Sequence, residues 1–398
     1  MKTIKNLKNL KNKRVLVRVD FNVPVENKKV LEDARMMAVM PTIQFLIKAK
    51  AKIILVAHLG RPDGKVVRAL RLDPVVAHLS ALLDQKVKKL ETRDFKFNKK
   101  TKDYFKKQIA EMAPGQVMML DNIRFSPDES KNTGTLAEDL ADMADIFVQE
   151  GFAVAHRAEA SVVGVAKYLP AYAGLLLEKE IKGLEKVMKN AKKPFVFILG
   201  GVKVATKAPV VKNLMPKIDN ILVGGAIVNT FFKLKGYKVG KSVADDQFIV
   251  DVKNCCQHTN IVLPVDLVVG AKDGQKYHVV DVKETPHVIC KKDEAIFDIG
   301  PKSIELFASY IKKANTIVWN GALGYFEQFP YKTGTLSIAR LVASRSKGKA
   351  FGVIGGGETL QAMNQVKMSE YVDLVSTGGG AMLEFLSGKK LPGIEVLK

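Results

Sequence analysis

Ten short runs rich in β-branched and apolar residues recur along this 398-residue chain, with helix-like segments between them. They lie at 14–20, 52–57, 117–121, 145–149, 195–199, 220–224, 261–264, 316–319, 350–354 and 372–376. This alternation constrains the fold more than any other feature, because strand–helix–strand units close into largely parallel sheets flanked by helices. At 47% hydrophobic residues, the chain can fill two such cores. Between Ala171 and Asn190, Leu177, Ile181, Leu184 and Met188 follow 4-3-4 spacing, one face of a long helix near mid-chain. The expectation is an α/β chain with a domain over 1–170, a connecting helix over 171–190, a second domain over 191–380 and a terminal segment 381–398.

In open parallel sheets, ligands bind beyond the carboxyl ends of the strands. The first such end is "RVLVRVDFNVPV" (14–25), where Val15, Val17, Val19 and Phe21 alternate with Arg18, Asp20 and Asn22. Period two sends the polar trio to the opposite face, just before Pro24 stops the strand, and Arg18 is expected to pair with Asp20. Further ends carry "AHLGRP" (57–62), "DNIRF" (121–125) and "GFAVAHR" (151–157). Arg35, Arg61, Arg124 and Arg157, with His58 and His156, thus gather at turns, where guanidinium groups suit phosphate and carboxylate.

The second half places glycines at its strand ends: "LGGVK" (199–203), "VGGA" (223–226), "NGALG" (320–324), "IGGGET" (354–359) and "STGGGA" (376–381). A glycine turn after a strand lets backbone N–H groups approach phosphate, and the following helix adds its positive end. Neither a GxxxxGK[ST] loop nor a GxGxxG fingerprint occurs. Glu358 can offer a carboxylate to Mg²⁺, and Lys203 and Lys207, four apart, are expected to face the same phosphates.

Net charge is +22, much of it lysine in solvent-facing patterns such as 86–107. No nucleic-acid-binding motif accompanies that charge, so no specific nucleic-acid partner is expected. The apolar runs are too short to span a bilayer, and no signal-peptide h-region follows the basic start. Cys255, Cys256 and Cys290 lack metal-ligand spacing, and an odd count suits a reducing cytoplasm without a structural disulfide.

The blocks "RVDFNVPV", "AHLGRPDG", "LLLEKEI", "ILGGVKVATK", "LPVDLVV", "DIGPKS", "VWNGALGYFE", "GGGETL" and "STGGGAMLEFLSGKKLPGIEVL" resemble those of phosphoglycerate kinases, in the same order from residue 14 onward. The resemblance implies two Rossmann-like domains facing across a cleft, with the last residues returning to the first domain. It implies reversible transfer of a phosphoryl group between 1,3-bisphosphoglycerate and ADP, giving 3-phosphoglycerate and ATP with Mg²⁺, in a cytoplasmic monomer of glycolysis or gluconeogenesis. Carried over by position, Asp20, Asn22, Arg35, His58, Arg61, Arg124 and Arg157 match the 3-phosphoglycerate site. Gly201, Lys203, Gly225, Asn320, Glu327, Gly355, Gly356, Gly357, Glu358 and Thr359 match the nucleotide site, with Glu358 toward the metal. Arg35, Lys203, Lys207, Gly378, Gly379 and Gly380 match groups around the transferred phosphoryl.

Departures from the usual blocks fall mostly on the nucleotide side. Val202 stands for Ala, Thr206 for Asp, Ala226 for Gly, Ala322 for Pro and Glu358 for Asp; elsewhere Glu150 stands for Asp and Ala153 for Gly. The expectation is an active enzyme with shifted nucleotide affinity or metal preference, since Mg²⁺ geometry is strict.

Overall fold

A computed structural model describes residues 1–91, 95–245 and 260–398. Cys255 and Cys256 lie outside the described residues. The chain divides into two compact units, Met1–Ile181 with Lys390–Lys398, and Lys182–Lys389.

In the first unit, six parallel strands run in the order Lys88–Leu90, Val117–Leu120, Lys52–Val56, Arg14–Arg18, Ile146–Gln149, Ala171–Ala173. Strand order reverses at Arg14–Arg18, so the crevice where a ligand fits opens beside Asp20. Both faces of this central strand are covered: Leu16 and Arg18 are as buried as Val15 and Val17. A parallel sheet clad by helices explains this, and the alternation in the sequence therefore marks two buried faces rather than an inside and an outside. Each fully buried Val or Leu contributes roughly 1.5–3 kcal/mol.

In the second unit, six more parallel strands run Asn260–Val262, Asn220–Val223, Phe195–Leu199, Thr316–Asn320, Phe351–Gly355, Leu374–Ser376. Here the order switches between Phe195–Leu199 and Thr316–Asn320, whose carboxyl ends carry Gly200–Gly201 and Gly321–Ala322. Beside it stands a three-stranded antiparallel sheet, Tyr277–Asp281, Asp266–Gly270 and Ala295–Ile299. The strand periodicity did not reveal that sheet.

The segment 171–190 is not one helix. Ala171–Ala173 pairs in parallel with Ile146–Gln149 as an edge strand, and the helix is Leu175–Asn190. Leu177, Ile181 and Leu184 are buried as spaced, and Val187 is buried where Met188 is only half-buried. The cut between units falls inside this helix. At the other end of the chain, Lys390–Lys398 belongs to the first unit, where Gly393 N donates to Ala155 O (2.9 Å) and Lys2 N to Leu397 O (3.3 Å). The helix Gly380–Leu386 stays with the second unit, so the returning segment is shorter than 381–398.

Glu150 holds the start of the connecting helix. Its buried carboxylate accepts from the Thr42 hydroxyl and from the backbone N–H groups of Leu176 (3.0 Å) and Leu177 (3.1 Å). A Cβ on Gly174 would collide with that carboxylate, which explains the glycine. Burial, together with the like charge of Glu180, pushes Glu150 up to about 7 despite its three donors. A carboxyl raised in the folded state gives stability that is present below its ordinary value and lost as pH rises through 7. Glu150 therefore contributes about 3 kcal/mol less stability at pH 8 than at pH 4. In denaturant melts, the stabilities of the wild type and Glu150→Gln are expected to diverge by this amount between pH 4 and pH 8; parallel pH profiles would show the carboxylate is not the cause.

Candidate active site

The first unit assembles a charged network around Asp20. Arg35 Nη1 donates to Asp20 Oδ2 at 2.6 Å and to Asn22 O at 3.4 Å, while Asn22 Oδ1 accepts from Gly60 N at 2.9 Å. Asp20 pairs with Arg35 and not with Arg18. Arg18, fully buried, donates instead to Ser161 Oγ (2.7 Å), Val19 O (2.5 Å) and His58 Nδ1 (3.3 Å), and lies 3.7 Å from Glu159. The expected pairing fails because the strand ends at Arg18, and the side chain turns into the covered face of the sheet.

His58 is buried, and burial plus the surrounding guanidiniums of Arg18, Arg124, Arg157 and Arg35 hold it well below the usual histidine range. It is neutral at pH 7. With Nδ1 accepting from Arg18, the proton sits on Nε2, which becomes a donor.

A cavity of about 240 Å³ lies nearby, and Arg61, Arg124, Arg157, Ser126, Glu129 and Glu159 help to line it. Arg124 is clamped at two points: Nη1 to Gly60 O (3.2 Å) and Nη2 to Glu159 Oε1 (2.9 Å). The same oxygen accepts from Arg157 Nη1 at 3.4 Å. Arg61 is exposed at the rim, and His156 is half-buried on the turn before Arg157. The seven first-half residues thus belong to one linked neighbourhood. Sequence reasoning missed Glu159 and Glu129. Nothing in "HRAEAS" distinguishes its glutamate from a solvated one, because its partner Arg124 lies 35 positions upstream.

The second unit carries a cavity of about 520 Å³, within the range of small-molecule sites. Gly201, Gly225, Glu327 and Glu358 line it together with Val202 and Ala322. Three loops meet there through their backbones: Gly201 N donates to Ala322 O (2.7 Å), Gly225 N to Leu323 O (2.8 Å) and Ile227 N to Gly201 O (3.1 Å). Gly225, at φ +61°, would press a Cβ to 2.6 Å from both Ala322 O and Gly201 N, so glycine there serves the meeting of loops. Gly380 differs, since a Cβ there would meet nothing within 4 Å.

Asn320 is buried and donates to Gly355 O (2.8 Å); Thr359 Oγ1 accepts from Gly321 N (2.8 Å). These contacts lock Gly355, Gly356 and Gly357 onto the strand ends. Glu358 is exposed to the cavity, and its Oε2 accepts from Ala322 N at 3.3 Å. Glu327 is likewise exposed at the wall. Gly378, Gly379 and Gly380 follow Leu374–Ser376 and open the helix Gly380–Leu386, with Gly379 at φ +50°.

Lys203 and Lys207 do not share a face. Residues 201–207 form a turn, not a helix, and the helix starts at Ala208. Lys203 is exposed, whereas Lys207 is buried with Nζ donating to Gly200 O. Burial pushes Lys207 down to about 8, opposed by the Glu358 carboxylate. Thr206 bonds Lys203 O (3.2 Å), so its hydroxyl closes its own turn.

A family model described as phosphoglycerate kinase matches residues 4–389. The phosphoglycerate kinase of Pelotomaculum thermopropionicum is 42% identical over 405 residues, covering 100% of this chain and 98% of its relative. That of Dictyoglomus turgidum is 43% identical over 404 residues, covering 100% and 99%. Among solved structures, phosphoglycerate kinase from Coxiella burnetii superposes with a TM-score of 0.83 at 38% identity, covering 99% of this chain and 98% of the other. The enzyme from Pyrococcus horikoshii gives 0.85 at 31%, covering 100% and 98%. Full-length matches of this kind, over the two parallel sheets just described, establish that the chain belongs to the phosphoglycerate kinase family.

Proposed function

We propose that this chain is a phosphoglycerate kinase, transferring a phosphoryl group reversibly between 1,3-bisphosphoglycerate and ADP. One observation carries the reading. An arginine-rich pocket lies by the switch point of one parallel sheet, and a glycine-walled cavity lies at that of the other. In this reading 3-phosphoglycerate occupies the first site, through Asp20, Asn22, Arg35, His58, Arg61, Arg124 and Arg157. Nucleotide occupies the second, through Gly201, Gly225, Asn320, Glu327, Gly355–Gly357, Glu358 and Thr359.

The acceptor is a carboxylate, ionised at pH 7, so no general base is needed. What the reaction needs is charge compensation as an anion approaches an anionic triphosphate. Arg35, Lys203 and Lys207 supply cations, and the backbone N–H groups of Gly379 and Gly380 supply donors to the phosphoryl oxygens, while Gly378 N donates to Ser376 Oγ (3.2 Å) and shapes the turn. Neutral His58 donates from Nε2 to a substrate oxygen. Glu358 would help hold Mg²⁺, which would supply charge neutralisation at the nucleotide phosphates. One carboxylate, Glu358, exposed to the cavity, fits a cation that otherwise keeps waters and phosphate oxygens. Transfer in line, without a covalent intermediate, requires closure of the two domains, with Leu175–Asn190 as hinge. Scattering that shows no compaction with both ligands would count against that closure. We further propose a cytoplasmic monomer; among the described residues no helix is long and apolar enough to cross a membrane.

The test is Mg²⁺-dependent phosphorylation of 3-phosphoglycerate by ATP. Turnover supports the reading. Calorimetric binding of 3-phosphoglycerate without turnover would instead leave a binding protein, with Thr206 and Glu358 as the residues to revert to Asp.

A further inference from the structure

Glu159 is an acid inside a site built of arginines. Its carboxylate is buried and reaches three guanidiniums: Oε1 accepts from Arg124 (2.9 Å) and Arg157 (3.4 Å), and Oε2 lies 3.7 Å from Arg18. Arg124 and Arg157 line the same cavity as Glu159, and like charges held this close repel.

The backbone under Glu159 is fixed. Its carbonyl accepts from Val162 N (3.1 Å) and Val163 N (2.9 Å), and the residue caps the turn Ala160–Gly164. Glu129 pins that turn from the other side, through Ser161 N (2.9 Å) and Ser161 Oγ (2.5 Å). Arg18 also donates to Ser161 Oγ, Val19 O and His58 Nδ1, so its 3.7 Å approach to Glu159 is one contact among four. Glu159 Oε1, its closer oxygen, faces the two cavity arginines, while Oε2 stands farther off, toward Arg18.

We propose that Glu159 is a positioning residue of the anion site, holding Arg124 and Arg157 side by side so that a phosphorylated acid meets prearranged guanidiniums. This rests on the substrate assignment above. The carboxylate takes one edge of each guanidinium and leaves the remaining N–H groups to the ligand. Binding then does not have to order two flexible side chains against their own repulsion.

Glu159→Gln keeps the shape and one acceptor while removing the charge. It is expected to raise KM for 3-phosphoglycerate about tenfold, leaving kcat and KM for ATP within about twofold. The inhibition constant of inorganic phosphate, which needs only the arginines, should rise in parallel. Glu159→Asp retains the charge but reaches one methylene less far, and phosphate affinity should fall there too. Unchanged constants with a lower melting temperature would mean a purely structural role and overturn the proposal. A lower KM in Glu159→Gln would overturn it as well, marking the carboxylate as a competitor of the ligand. If the wild type itself lacks turnover, the substrate assignment fails, and calorimetry with inorganic phosphate on the wild type and Glu159→Asp still decides the positioning role. Should Glu159→Gln not fold, the aspartate variant decides alone: phosphate affinity equal to wild type refutes the proposal.

Discussion

Arg35→Ala is expected to lower kcat for phosphorylation of 3-phosphoglycerate by about 10²–10³, the cost of removing one preorganised charge donor from a transition state. The side chain is 37% exposed, and one of its terminal nitrogens is held by Asp20 and Asn22, with no other contact of the fork among the described residues. A guanidinium held at one edge and free at the other suits a group that gains charge during reaction. Losing it leaves the buried Asp20 carboxylate without its cation, at a cost of about 1–3 kcal/mol to stability. Melting curves beside the kinetics separate that effect from catalysis. Arg35→Lys keeps the charge and loses the fork, so an intermediate rate is expected. A loss under tenfold in the alanine variant, in folded protein, would remove Arg35 from the reacting centre.

Lys207→Met is expected to cost about a hundredfold in kcat/KM for the nucleotide, again as the loss of one oriented cation. Unlike Lys203, this side chain is buried, tied to Gly200 O and facing Glu358. Burial brings it to about 8, so the free enzyme holds the cation below pH 8 and loses it above. kcat/KM for nucleotide should therefore fall as pH rises through 8. kcat should fall later or not at all, because bound phosphate favours the charged form. The Met variant should lose this descending limb. Persistence of the limb in Lys207→Met would assign it to another group.

Of the site, what a residue contributes as a chemical type was legible in the chain. The asparagine and aspartate after a strand, Arg61, Arg124 and Arg157 and the glycine runs lie beyond strand ends, where ligand chemistry at a parallel sheet collects, whereas Arg35 sits in the first turn of the helix Ala34–Lys48. What each does locally was less legible. Gly225 and Gly380 look alike in sequence, yet one admits a neighbouring loop and the other faces open space. Lys203 and Lys207 have helical spacing, yet the segment is a turn that buries one and exposes the other. The edge strand Ala171–Ala173 was absorbed into the helix, since three residues are too few to display a period.

The sequence by itself determined the α/β class, the central strands of both sheets and the residue types at their tips. Each of these is a local property, set by periodicity and by the backbone demands of turns. Only the tertiary structure decided that Arg18 is buried beside His58 rather than paired with Asp20, and that one carboxylate at Glu159 serves three arginines. Those outcomes depend on which strand tips meet. Guanidinium–carboxylate contacts form between segments far apart in the chain, where no spacing rule reaches, and burial then sets the charge each group carries.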